Sequence, residues 1–197
     1  MTRVDFWYEF SSTYSYPAAM RASQLARERG VALRWRPFLL GPIFVAQGWR
    51  NSPFNLYPAK GRYMWRDVER VCAKLSLPFR RPEPFPQNSL FASRAALALE
   101  DEDRAAFSRA IYAAEYGEGR PIAERATIAE TLAGLGHNPS AIIERASSEP
   151  IKAKLRSETD EAQRLGIFGA PTFIVEGGEL FWGNDRLEDA LDWAARY

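Results

Sequence analysis

Apolar and polar positions alternate near both ends of the chain and take helical spacing between them. Residues 4–10, Val-Asp-Phe-Trp-Tyr-Glu-Phe, read as a strand. The stretch from Ala18 to Arg29 reads as a helix closed at its C-cap by Gly30. Leu33 to Phe38 alternates again, with Leu33 and Trp35 on its apolar side. A strand–helix–strand unit of this length implies a right-handed crossover and parallel pairing. At the other end, residues 172–175 form a short run rich in β-branched residues, residues 176–179 a Glu-Gly-Gly-Glu hairpin turn, and residues 180–182 a returning strand. A last helix opens at Arg186 and Leu187 and runs to about Arg196, with Leu187, Leu191 and Ala194 or Ala195 facing inward.

From residue 40 to about 165 the pattern is helical. Gly61 to Leu75, Ser89 to Glu100, Arg104 to Tyr116 and Ala123 to Leu135 are the expected helices. Asn138-Pro139 reads as an N-cap followed by a first-turn proline. Ser148 reads as the cap of a longer helix to Leu165, stopped by Gly166. Pro78 to Pro86 is too proline-rich for a helix and is expected to cross the surface as extended chain. The expected division is therefore a core of residues 1–39 and 166–197, interrupted by a helical insertion of residues 40–165.

Composition narrows the chemistry. At 46% apolar over 197 residues the chain can bury a proper core. Twelve Phe, eight Tyr and six Trp are many for this size: most belong to the core, some to a pocket for a flat ligand. Basic and acidic residues are interspersed and net charge is +1, which argues against nucleic acid as a partner. Cys72 is the only cysteine, so an intramolecular disulfide and a Cys-rich metal site are both excluded; it reads as a small apolar residue on a helix. His137 is the only histidine and falls in a turn, which leaves no His-based metal site and makes a solvated loop residue the better reading than a partner for a catalytic serine. The acidic run Glu100 to Asp103 reads as a solvated interhelical turn. The N-terminus passes straight into a strand, and no run approaches the ~18 apolar residues of a membrane helix, so the expectation is a soluble cytoplasmic protein without a membrane partner.

Three segments carry candidate chemistry. Ser12 lies where the first strand ends and the first helix begins, in Ser12-Thr13-Tyr14-Ser15. Unpaired N–H groups and the helix dipole there favour an anion and lower a thiol's pKa. A hydroxyl in that place is either an ordinary N-cap or a donor to a bound thiolate. Pro171, in Phe168-Gly169-Ala170-Pro171-Thr172-Phe173, is either a simple strand opener or a cis-proline that exposes the N–H and C=O of Ala170 to a peptide-like ligand. Trp182-Gly183-Asn184-Asp185-Arg186 is either a capped turn or a helix start that meets an ammonium and a carboxylate.

In this order and spacing the motifs V-D-F-x-x-x-F-S-S-x-Y-S-Y, F-G-A-P-T-F and W-G-N-D-R-L resemble 2-hydroxychromene-2-carboxylate isomerases and kappa-class glutathione transferases, within the DsbA-like thioredoxin superfamily. Asn51-Ser52-Pro53, Pro58 to Tyr63 and Leu77-Pro78-Phe79 extend the resemblance through the insertion. The implied fold is α/β, a thioredoxin-like βαβ…ββα core carrying a large helical insertion. A C-x-x-C redox pair would stand at the first corner of such a fold; here serines stand at both ends. A redox scaffold without redox sulfurs implies a site for another molecule's thiol.

The resemblance implies glutathione as cofactor, its sulfur beside Ser12 as the catalytic contact. Ser12, Asn51, Ala170, Trp182, Gly183, Asn184 and Asp185 are the implied glutathione-binding residues. The implied reaction is cis–trans isomerisation of 2-hydroxychromene-2-carboxylate to trans-o-hydroxybenzylidenepyruvate in aromatic-compound breakdown, by a homodimer. The alternatives are a kappa-like transferase or peroxidase and a non-catalytic thiol-peptide binder. Thr13 stands where the family has proline, and Gly41 to Gln47 lacks the isomerase's substrate-side lysine. Lys60 is the candidate cation for an aromatic substrate's carboxylate. The apolar wall is expected from Trp49, Phe54, Tyr57, Tyr63 and Phe85.

Overall fold

The computed structural model describes residues 2–196. Its sheet has four strands in the order β2-β1-β3-β4, where β1 is Arg3–Tyr8, β2 Ala32–Pro37, β3 Thr172–Val175 and β4 Leu180–Trp182. β1 and β2 are parallel, joined by helix α1 (Ser15–Glu28), as the strand–helix–strand pattern requires. β3 lies antiparallel to the other side of β1, with Phe6 opposite Phe173, and β4 returns antiparallel to β3. The two segments recognised at the chain's ends therefore meet in the middle of one sheet.

Alternation along β1 divides the core in two. Val4, Phe6 and Tyr8 face one layer, with the alanine stripe Ala18, Ala19, Ala22 and Ala26 of α1. Helices α6 (Asp101–Tyr112) and α10 (Leu187–Ala194) pack in the same layer. Phe6 stacks on Phe173 at 5.0 Å and meets Trp35 edge-on at 4.8 Å. Trp7 faces the other way, into a smaller cluster with Phe38, Ile43, Ala162, Ile167 and Ile174. That face is covered by α2 (Leu40–Ala46) and α9 (Glu149–Arg164). Asp5 shares the face with Trp7 and gathers Arg34 and Arg36, the latter reaching on to Glu158 of α9 at 2.7 Å.

Between β2 and β3 the chain also forms α3 (Pro53–Leu56), α4 (Pro58–Lys74), α5 (Leu90–Leu97), α7 (Arg125–Gly134) and α8 (Pro139–Ser147). Several boundaries differ from the sequence pattern. β1 ends at Tyr8, because Glu9 and Phe10 already belong to the corner, where the Glu9 carbonyl accepts the N–H of Ser12 at 3.0 Å. The helix expected over 104–116 becomes a π-helical turn after Tyr112, over Ala113–Gly117. Ser148 precedes α9 but its side chain does not cap it; the hydroxyl donates back to the Arg145 carbonyl at 2.6 Å. Asn138 does cap α8, accepting from the N–H of Ala141. Pro78 to Pro86 is non-helical as expected but not extended throughout: Glu83 to Pro86 bends, with cis bonds at Glu83–Pro84 and Phe85–Pro86. Among the described residues no helix is long and apolar enough to cross a membrane.

Candidate active site

The corner after β1 and the chain entering β3 face each other because their strands are adjacent and antiparallel. The Ala170–Pro171 bond is cis, and the Ser12 hydroxyl donates to the Ala170 carbonyl at 2.9 Å. Ser12 is not an N-cap of α1: the helix begins at Ser15, and the N-cap residue is Tyr14, which makes no side-chain cap. The Ser12 hydroxyl is therefore free of a capping duty. Ala170 retains a free acceptor lone pair on its oxygen. Its N–H has no hydrogen-bond partner among the described residues.

A cleft of about 1560 Å³ opens over this pair. The expected ligand-binding residues Ser12, Asn51, Lys60, Phe85, Ala170, Trp182, Gly183, Asn184 and Asp185 line it. Its far wall is aromatic. Trp49, Phe54, Tyr63 and Phe85 line it, with Phe85 held edge-on against Trp65 at 4.6 Å. Tyr57, expected in that wall, is not a cleft residue; its half-exposed ring lies 5.4 Å from the Lys60 ammonium instead. Lys60 is exposed, with no carboxylate in ion-pair range among the described residues.

The third segment is tightly specified. Gly183 has φ +117°, open to glycine and strained for any side chain, and its N–H donates to the Pro171 carbonyl at 2.9 Å. Gly169 has no room for a Cβ, because the Trp182 indole nitrogen occupies that space. Trp182 remains half exposed, against Phe168 at 5.0 Å between ring centres. Asn184 is held by Arg21 of α1, which donates to both its carbonyl and its Oδ1, at 3.3 and 3.1 Å. Asp185 is exposed on the turn, with Arg186 at 3.5 Å. Asn51 folds on itself, accepting from the N–H of Ser52 and from Asn55.

The sequence reading missed several cleft residues. Tyr14 donates to Asp67 of α4 at 2.8 Å, tying the start of α1 to the opposite wall; burial and the Asp67 carboxylate push its phenol well above the ordinary range. Glu9, Ser11, Gln87 and Ser89 form a polar floor beneath Ser12. Glu9 stands at a strand end where a polar side chain is ordinary, and its partner Ser89 lies 80 positions away, so no local signal announced it. His137 is not a cleft residue and lies 3.8 Å from Asp103. Among the described residues no cluster of three or more His, Cys, Asp or Glu side chains is arranged for a metal.

Residues 3–192 match the DsbA-like thioredoxin domain. The chain belongs to the DsbA-like thioredoxin family. Within it, the chain is 30% identical to 2-hydroxychromene-2-carboxylate isomerase of Sphingobium xenophagum over 186 residues, 94% of each chain. It is 28% identical to glutathione S-transferase kappa 1 of Caenorhabditis elegans, over 98% of this chain and 90% of that one. The solved structure of a 2-hydroxychromene-2-carboxylate isomerase superposes with a TM-score of 0.89 at 27% identity, covering 98% of this chain and 95% of the other. DsbA-like family members that exchange disulfides need paired thiols; this one has a single cysteine, Cys72, buried in α4.

Proposed function

We propose that the cleft binds glutathione with its sulfur at Ser12, and that the protein is a glutathione-dependent isomerase of conjugated aromatic acids of the 2-hydroxychromene-2-carboxylate type. The observation that carries this is the pairing of Ser12 with Ala170. It offers a hydroxyl donor, a free N–H and an acceptor carbonyl within one corner, the set that a cysteinyl residue with a thiolate needs. The cleft exceeds the 300–1,000 Å³ usual for one small ligand, which leaves space for an aromatic partner beside a tripeptide.

Bound glutathione supplies a thiolate that adds reversibly to a conjugated carbon, so that a double bond becomes rotatable without any change of oxidation state. The protein's share is to hold and orient. Ser12 turns its hydroxyl from Ala170 to the sulfur, and Ala170 aligns the cysteinyl backbone. Asp185 pairs with the γ-glutamyl ammonium, and Asn184, fixed by Arg21, meets its carboxylate through the free amide. Trp49, Phe54 and Phe85 exclude water from the aromatic substrate, and Lys60 neutralises its carboxylate. The test is spectrophotometric conversion of 2-hydroxychromene-2-carboxylate with and without glutathione: the reading requires turnover that depends on glutathione. Conjugation of chlorodinitrobenzene without isomerisation would favour the transferase reading, which the kappa relative supports.

A further inference from the structure

Behind the Ser11–Ser12 corner the protein buries two carboxyl groups and gives neither a cation. Glu9 is 5% exposed and lies in the cleft floor. Its Oε1 accepts from the Ser89 hydroxyl, and the Ser11 N–H lies beside its carboxyl. Ser11 in turn donates to the Gln87 carbonyl at 2.5 Å, and Tyr112 donates to the Glu9 carbonyl at 2.8 Å. Glu115 is fully buried on the π-helical turn, and neither of its oxygens has a partner. Buried polar atoms without partners are rare enough to call for a reason, and an unpaired buried carboxyl is among the most costly of them.

We propose that Glu9 is the proton acceptor for a thiol bound at the Ser12 corner, an inference that rests on the glutathione reading above. The thiol S–H bond breaks and a Glu9 O–H bond forms. A thiolate and a neutral carboxyl replace a thiol and a carboxylate, so the charge in the cleft is unchanged and no electron pair leaves it. The Ser12 hydroxyl and the helix start stabilise a thiolate but cannot take its proton. Of the other carboxylates lining the cleft, Asp67 is held by Tyr14 and Asp185 is exposed beside Arg186.

Burial pushes Glu9 up to about 7, against the pull of Ser89 and Ser11, which suits a base working near neutrality. From the interior it faces Tyr112, Tyr116 and Glu115, and burial with the Glu9 charge pushes Glu115 well above the ordinary carboxyl range. Across the cleft stand the charged groups Arg50, Lys60, Asp67, Asp185 and Arg186; among the described residues no cation is in ion-pair range of Glu9.

The experiment counts protons. Glutathione is titrated into the protein at pH 8 in buffers of different ionisation enthalpy, with thiolate formation read from ultraviolet absorbance; S-methylglutathione, which has no thiol proton, is titrated alongside. Wild type should release clearly less than one proton to buffer for each thiolate that it forms, because the new thiolate favours the neutral form of Glu9 beside it. Glu9→Gln should release about one proton for each thiolate that it forms. Glu115→Gln, outside the cleft lining, should behave as wild type. Release of about one proton per thiolate from the wild type overturns the proposal. Absence of binding by both glutathione and S-methylglutathione would instead sink the glutathione reading, and this inference with it.

Discussion

The Ser12 hydroxyl and the Ala170 carbonyl share one hydrogen bond of 2.9 Å across 158 positions of sequence. This bond closes the corner on itself. On the proposed reading a thiolate would take the same donor and leave the Ala170 oxygen for a peptide N–H, so one rotation of one hydroxyl would prepare both contacts.

Replacing that hydroxyl separates the two. Ser12→Ala should raise the pKa of bound glutathione by about one to two units, the worth of roughly 1.5–3 kcal/mol for a hydrogen bond to a charged group. Affinity for S-methylglutathione, which cannot ionise, should change little. A pH titration of thiolate absorbance together with calorimetry reads both; equal losses would show that Ser12 positions the ligand and does not stabilise the sulfur.

Lys60 is an exposed cation of the cleft with no carboxylate in ion-pair range among the described residues. Lys60→Met should raise KM for an anionic aromatic substrate about ten-fold, since losing one charge-assisted contact costs roughly 1.5 kcal/mol. The glutathione dissociation constant should hold. An equal loss of both would place Lys60 on the glutathione side.

Dithiol chemistry is closed to this chain. Cys72 is alone, buried in α4, and burial pushes its thiol up to about 11. Insulin reduction should not exceed that of a Cys72→Ala variant.

Glu9 makes stability depend on pH in an unusual direction. A carboxyl raised from 4.5 to about 7 on folding contributes its full stability below pH 4.5 and loses it as pH rises through about 7. The span corresponds to about 3 kcal/mol for this buried group. Glu115, raised by burial and by Glu9, adds a loss of the same sign. Glu149 and Glu161, held below the usual range by Lys152 and Arg164, act in the opposite sense, at acid pH only. Melting temperature should therefore fall between pH 5 and pH 8, and Glu9→Gln should flatten the fall and be the more stable protein at pH 8. A wild-type curve flat over that interval would show Glu9 already ionised without cost.

Gly169→Ala tests the Trp182 wall. The new methyl must displace the indole, because the side chain of Trp182 fills its place. Glutathione affinity should drop several-fold and Trp182 fluorescence should shift, with the sheet intact by circular dichroism.

The sheet was legible because its signals are local: alternation in β1 and β2, β-branched residues in β3, and Gly177-Gly178 in the hairpin. Ser12, Ala170 and residues 182–185 stood out in three motifs, and the structure brings them to one cleft with Asn51, Lys60 and Phe85 of the insertion. α2 and α3 were not: Gly41-Pro42 and a four-residue helix after Ser52 give no apolar stripe to read. The polar floor was not legible either. Glu9, Gln87, Ser89 and Glu115 become a cluster only through packing between residues as many as 106 positions apart, and nothing in Ala113–Gly117 distinguishes a π-turn from the alanine-rich helix before it.

The cleft's two walls answer differently to mutation. One is main chain, the N–H and C=O of Ala170 set between strands, which no substitution of a side chain can rewrite. The other is a set of exchangeable rings and one ammonium on α3, α4 and the segment around Phe85. If the cleft holds a thiol as proposed, substitutions in the second wall would change which molecule is accepted beside it while the first wall stays as it is. Such a division would let new chemistry arise on the aromatic side without loss of the thiol site.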